Sequence, residues 1–95
     1  MAAYLIARVR VDDPEGYKAY ALKSKPAIEA FGGKFIARGG ETEILEGEDN
    51  VTRVVLVEFP DMDTARKWYA SEQYQEAKAI RAPISEATFT IVEGA

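Results

Sequence analysis

The sequence contains neither cysteine nor histidine. That absence excludes disulfides, a thiolate nucleophile, an imidazole base, a Ser-His-Asp triad, a His-ligated haem and an ordinary zinc site. Chemistry would have to come from Asp, Glu, Lys, Arg, Tyr, Ser or Thr, or from a bound group, and neither metal nor cofactor is expected. No run of residues approaches the roughly 18 apolar positions that a membrane helix needs. The N-terminus also lacks the basic flank and apolar core of a signal peptide, so the expectation is a cytoplasmic protein without a membrane partner. Positive charge is in short supply too, with 12 Lys and Arg against 16 Asp and Glu and a net charge of -4. This balance disfavours nucleic acid as a partner.

What is present fits one globular domain spanning residues 1–95, with 47% hydrophobic and 29% charged residues. The organising stretch is Gly32 to Gly47. Two short strand patterns, Phe35 to Arg38 and Thr42 to Leu45, flank Gly39-Gly40, and paired glycines within a strand mark a bulge or bend. The stretch reads as one long bent strand whose second half is free to meet another chain.

The remaining elements follow in order. Ala3 to Val11 alternates, with Leu5, Ala7, Val9 and Val11 on one face and Tyr4, Ile6, Arg8 and Arg10 on the other. Asp13-Pro14-Glu15 opens a helix whose stripe is Tyr17, Tyr20, Ala21, Ser24, Ala27, Ile28 and Phe31, with Pro26 expected to kink or split it. Gly47 to Asn50 carries hairpin turn chemistry, and Thr52 to Phe59 is apolar on both faces, as a central strand would be. Pro60-Asp61 opens a helix burying Met62, Ala65, Trp68 and Tyr69. Ser71 caps a second short helix to about Ile80, with Tyr74 and Ala77 inward, and Ala87 to Val92 is the last strand.

Strand, helix, strand, strand, helix, strand is the order of an α+β, ferredoxin-like βαββαβ unit, a four-stranded antiparallel sheet with helices on one face. The other face then carries Ile6, Ile36, Val54, Leu56 and Val92 among Arg8, Arg10, Arg38, Glu58, Thr88 and Thr90. It is too apolar to stay wet and too charged for a dry core. A homodimer packing sheet against sheet resolves both demands.

Asp13-Pro14-Glu15 with Tyr17 and Tyr20, Phe31-Gly32-Gly33-Lys34-Phe35, Arg38-Gly39-Gly40, Leu45-Glu46-Gly47, Val57-Glu58-Phe59-Pro60, Ala65 with Trp68-Tyr69, Ser71 with Tyr74, and Arg81 together give a further lead. In this order the chain resembles the uncharacterised family named domain of unknown function 1330, in the dimeric alpha/beta-barrel superfamily. The resemblance implies a dimer whose two sheets enclose a barrel-like interior, and it implies no settled activity. Superfamily members include cofactor-independent monooxygenases, isomerases and haem enzymes. This chain has no His to serve as the axial ligand of the last group.

Candidate site residues each have two readings. Arg38, beside the bare amides of Gly39-Gly40 and sharing a face with Glu58, could hold a carboxylate or enolate oxygen, or could form an interface ion pair. Glu58 is a general base if the dimer interior raises its pKa, and a structural partner if an arginine lowers it. Trp68, Tyr69, Tyr74 and Arg81 either wall a pocket for a planar anion or pack as helix-to-sheet core. Convergence of Arg38, Gly39 and Gly40 with the Trp68 to Arg81 segment would mark the site. Two functions therefore stand: a cofactor-independent enzyme or binding protein for a small anionic, carboxylated metabolite, and a non-catalytic dimeric interaction module.

Overall fold

Alternation in the first strand is realised residue by residue, since Ala3, Leu5, Ala7 and Val9 are buried while Arg8 between them is exposed. The computed structural model describes all 95 residues, Met1–Ala95. Its elements are β1 (Ala3–Val11), α1 (Pro14–Ala30), β2 (Lys34–Arg38), β3 (Arg53–Phe59), α2 (Met62–Ala70), α3 (Glu72–Arg81), a 3-10 turn (Ala82–Ile84) and β4 (Ser85–Glu93). The sheet runs β2-β3-β1-β4 with every neighbour antiparallel, so the ferredoxin-like expectation holds and β3 is central with β1.

Side-chain oxygens start all three helices. Asp13 accepts from Gly16 N, Asp61 from Thr64 N and Ser71 from Tyr74 N, each satisfying an amide that the helix leaves free. Ser71 also ends α2, its hydroxyl donating to the Trp68 carbonyl at 2.6 Å. One polar residue thus divides the second helical segment, so that α2 packs on the sheet and α3 on α1. Pro26 does not split α1. The carbonyl it deprives of a partner is that of Leu22, on the exposed side, where water can replace the lost bond.

The core lies between the helices and one sheet face. Leu5, Ala7, Val9, Val55, Val57 and Phe59 from the sheet meet Tyr17, Tyr20, Ala27, Ile28, Ala65, Trp68, Tyr74 and Ala77 from the helices. On the other face Ile6, Val54 and Leu56 are half-buried, while Ile36 and Val92 are about half exposed at 52% and 46%.

Two features of the bent-strand expectation are corrected. Thr42 to Leu45 is not a strand: β2 ends at Arg38, and residues 40–52 contain neither helix nor strand. The last ladder bond, Gly39 N to Val54 O at 3.0 Å, is followed by a turn away from the sheet at Gly39, whose φ is 69°. Ile44 and Leu45 are left exposed. The register break lies earlier than the glycines, between Phe35 and Ala37, with Ile36 as the extra residue. A single inserted residue reverses the alternation that follows it. Phe35 pairs with Val57, yet Ala37 pairs with Leu56 and Arg38 with Val55. Arg38 therefore turns to the helix-covered face, not to the face of Arg8, Arg10 and Glu58, and Ala37 takes the open face instead.

Candidate functional site

Between the helices and the sheet lie two spaces that share a wall. A small cavity of about 30 Å³ is lined by Arg38, Arg53, Tyr17, Tyr20, Ser24 and Trp68 among apolar side chains. A groove of about 620 Å³ runs between α2, α3 and β4, bounded by Trp68, Tyr69, Lys78, Arg81, Ser85 and Phe89. Leu5, Trp68 and Phe89 border both. The small cavity has room for little more than water, whereas the groove falls within the roughly 300–1,000 Å³ of organic ligand sites.

Charge distinguishes this region from the rest of the molecule. No Asp or Glu lines either space, although the chain has 16 such residues. Arg38, Arg53 and Arg81 make no salt bridge. They rest on rings instead: Arg38 Cζ is 4.5 Å from the centre of Phe35, Arg53 Cζ is 5.2 Å from Tyr17, and Arg81 Cζ lies 4.5 Å from Phe89 and 5.6 Å from Tyr20. Arg38 is exposed to water; for buried Arg81 and half-buried Arg53, cation–π attraction offsets part of the cost of desolvation but leaves their Nε–H donors without an acceptor. Arg81 is only 7% exposed, and its Nε has no partner. The buried nitrogens Arg53 Nε and Trp68 Nε1 are likewise unpartnered. Buried polar atoms are nearly always paired, so these three donors around two adjoining spaces stand open to an acceptor, whether water or another group.

The tyrosines add donors and no base. Tyr74 is fully buried against Trp68, ring centres 4.3 Å apart, and its hydroxyl meets that of Tyr20 at 3.1 Å. Burial pushes the Tyr74 phenol far above its usual range, Tyr20 adds to this, and the Arg81 charge pulls only weakly the other way. Burial raises Tyr17 as well, with Tyr20 second and Arg53 opposing. Neither can act as a proton acceptor near neutral pH.

The expected site residues thus divide. Trp68, Tyr69 and Arg81 come together in the groove, and Arg38 shares the small cavity with Trp68. Tyr74 backs the site without lining either space. Glu58 sits on the opposite sheet face beside Tyr4 and Lys34, so it meets none of them. Gly39 is filled rather than open, because a side chain there would strike the Arg53 guanidinium, and exposed Gly40 has nothing near it. Glycine here makes room for an arginine, not for a ligand. Arg53 itself was missed. It pairs with Val9 and stands two residues before Val55, so extending the alternation of β3 by one step would have placed it on the helix side.

A family model described as a domain of unknown function, DUF1330, matches residues 2–95. The chain belongs to that family. No curated protein matches the DUF1330 chain. Solved structures do. The RPA0582 protein of unknown function from Rhodopseudomonas palustris is 21% identical with a TM-score of 0.80, over 99% of this chain and 82% of that one. SnoaB from Streptomyces nogalater, described as a cofactor-independent oxygenase, is 14% identical with a TM-score of 0.72, covering 99% and 93%. A dimeric ferredoxin-like protein of unknown function from Thermobifida fusca is 18% identical with a TM-score of 0.68, covering 99% and 92%. At these identities the likeness establishes the fold of the DUF1330 chain. No helix in it is long and apolar enough to cross a membrane.

Proposed function

We propose that this chain is a homodimeric protein that binds a small carboxylated, aromatic metabolite in the groove between α2, α3 and β4, as a cofactor-independent enzyme or a binding protein. The observation that carries the reading is Arg81, a buried guanidinium with an unpartnered Nε at the wall of a ligand-sized groove without acids. A planar fork of donors matches the two oxygens of a carboxylate, and the aromatic lining suits an aryl carboxylate better than a bare phosphate. Half-buried Tyr69 and Phe89 supply ring faces for the rest of the ligand, backed by fully buried Trp68. Support for dimerisation comes from the open sheet face, where Ile36 and Val92 stand exposed at its two edge strands around half-buried Leu56 and Ile6, and from solved neighbours described as dimeric.

The test is thermal unfolding with cinnamate as probe. Wild type should gain melting temperature progressively with cinnamate concentration, and Arg81→Met should lose that response at unchanged dimer mass. Absence of any response in the wild type would remove the binding reading. The second reading, a dimeric module without chemistry, is favoured by the exposed Ile44 and Leu45, which lie on the segment after β2 and outside the groove. It predicts a dimer indifferent to small carboxylates.

A further inference from the structure

Arg81 is not the only free cation in the groove. Three positive side chains line it, Arg66, Lys78 and Arg81. Arg66 is engaged with Asp63 at 3.1 Å. Lys78 makes no salt bridge and holds its ammonium 5.2 Å above the Tyr69 ring, half-buried at the rim, while Arg81 is buried. The groove therefore presents two unneutralised cations of different kinds, a buried fork and a half-buried point charge, with Tyr69 and Phe89 as its aromatic walls and Trp68 buried behind them.

We propose that the groove selects a hydroxyaryl carboxylate and binds it with the hydroxyl ionised, the carboxylate on Arg81 and the aryl oxide beside Lys78. This rests on the carboxylate reading above and names the ligand more closely. The proton balance follows from what lines the groove. From α2 come Arg66, Trp68 and Tyr69, from α3 Lys78 and Arg81, from β4 Ser85, Ala87, Phe89 and Ile91, and from β1 Leu5. None of these is a carboxylate or an imidazole. The carboxylates Asp63 and Glu93 share a separate shallow depression with Arg66, and Glu86 is paired with Arg10 on the other face. Ammonium and guanidinium groups have no acceptor to offer a hydroxyl proton, and the Ser85 and Tyr69 hydroxyls can accept its hydrogen bond without taking the proton. On binding, the ligand O–H bond breaks, its electron pair stays on oxygen beside Lys78, and the proton leaves for bulk water through the groove mouth. The Tyr20 and Tyr74 hydroxyls, bonded to each other behind Arg81 and outside the groove lining, take no part in that transfer. The protein thus delivers an electron-rich aryl oxide without using any base of its own.

The experiment compares 4-hydroxycinnamate with cinnamate. The hydroxyl of the first absorbs at longer wavelength once ionised, so the bound probe can be titrated directly. With wild-type protein in excess, the ionisation midpoint of bound 4-hydroxycinnamate should fall by about one pH unit or more relative to the free probe, equivalent to about tenfold tighter binding of the ionised form. Lys78→Met, a substitution of a half-buried rim residue, should return the midpoint to that of the free probe while leaving cinnamate affinity within about threefold, well under the tenfold that one pH unit represents. A bound midpoint equal to or above the free value, or a shift that survives Lys78→Met, overturns the proposal and leaves the carboxylate site standing. If neither compound binds, the carboxylate reading fails and this inference fails with it.

Discussion

The two faces of the sheet keep their arginines in opposite conditions. On the open face Arg10 bonds Asp12 and Glu86, and Arg8 pairs with Asp49. On the helix-covered side Arg38 and Arg53, with Arg81 facing them from α3, have aromatic rings and no carboxylate, in a chain with four more acids than bases; of the three Arg81 is buried, Arg53 half-buried and Arg38 exposed. Solvated pairs contribute little to stability, whereas a buried cation without a counter-ion costs several kcal/mol by order of magnitude unless something compensates. The first arrangement is what an acidic surface produces by default. The second needs a reason, and the anion site proposed above would supply one. The comparison also ranks the experiments, since perturbing the covered side should matter most and perturbing the open-face pairs least.

The largest effect should come from the wall between the two spaces. Trp68 is fully buried and stacked among Phe59, Tyr69 and Tyr74. Trp68→Ala should cost about 3–5 kcal/mol, much of the stability of a domain this small, as read by urea denaturation. A loss below about 1 kcal/mol would mean that the covered face is loosely packed, and the contrast would lose its foundation. Next comes the open face as an interface. Leu56→Lys places a charge among Ile6, Ala37 and Val54 on the central strand, and equilibrium sedimentation should then report a species near 10.5 kDa, or an unfolded chain. Retention of twice that mass would place the dimer contact elsewhere.

These residues also show how far the sequence could be read. Element order, helix caps and both sides of β1 and β3 were legible because alternation and capping are local properties. Arg38 was assigned to the wrong face for one physical reason: the bulge at Ile36 leaves no mark in the side chains, and it inverts everything after it. The visible glycines drew attention one turn too late. Gly39 does bend the chain, but its missing side chain accommodates Arg53, a pairing between residues fourteen apart that no local pattern announces. Trp68 and Tyr69 were found because the helical period put them on the buried side of α2, whereas Arg81, beyond the expected end of the next helix, was marked by the family resemblance and not by any period. Their partner at the rim, Lys78, reads as an ordinary surface lysine until the groove is seen.

A smaller effect should separate the buried tyrosines from the exposed charges by pH. The folded pKa values of Tyr17 and Tyr74 lie above the ordinary tyrosine value of about 10. Stability from these groups is therefore fully present below about pH 10 and is lost as pH rises beyond it, because the unfolded chain then sheds protons that the folded one retains. Melting temperature should hold steady from neutrality to about pH 9 and fall above about pH 10, and Tyr74→Phe should shallow that fall while lowering stability at neutral pH through the orphaned Tyr20 hydroxyl. An equally steep fall in Tyr74→Phe would shift responsibility to the lysines.

The smallest change is expected from Arg10→Gln. Arg10 donates to Asp12 at 3.0 and 3.1 Å and to Glu86 at 3.1 Å, and its hydrogen bond holds the Asp12 carboxyl below the usual range, with their charges acting the same way. The sign is that of a depressed acid: the contribution is present above about pH 4 and disappears as pH falls below it. Asp12 and Glu86 stand largely in water, so salt screens the pairs and side-chain ordering offsets much of what remains. At physiological ionic strength Arg10→Gln should leave the melting temperature and the dimer mass unchanged, with a slight loss emerging only at low salt and vanishing at acid pH. Arg53→Gln, made on the covered side without any carboxylate to release, should show no such salt or acid dependence. If the two substitutions respond to salt alike, the arginines of the two faces do not differ in kind, and the covered cluster loses its claim to be an anion site.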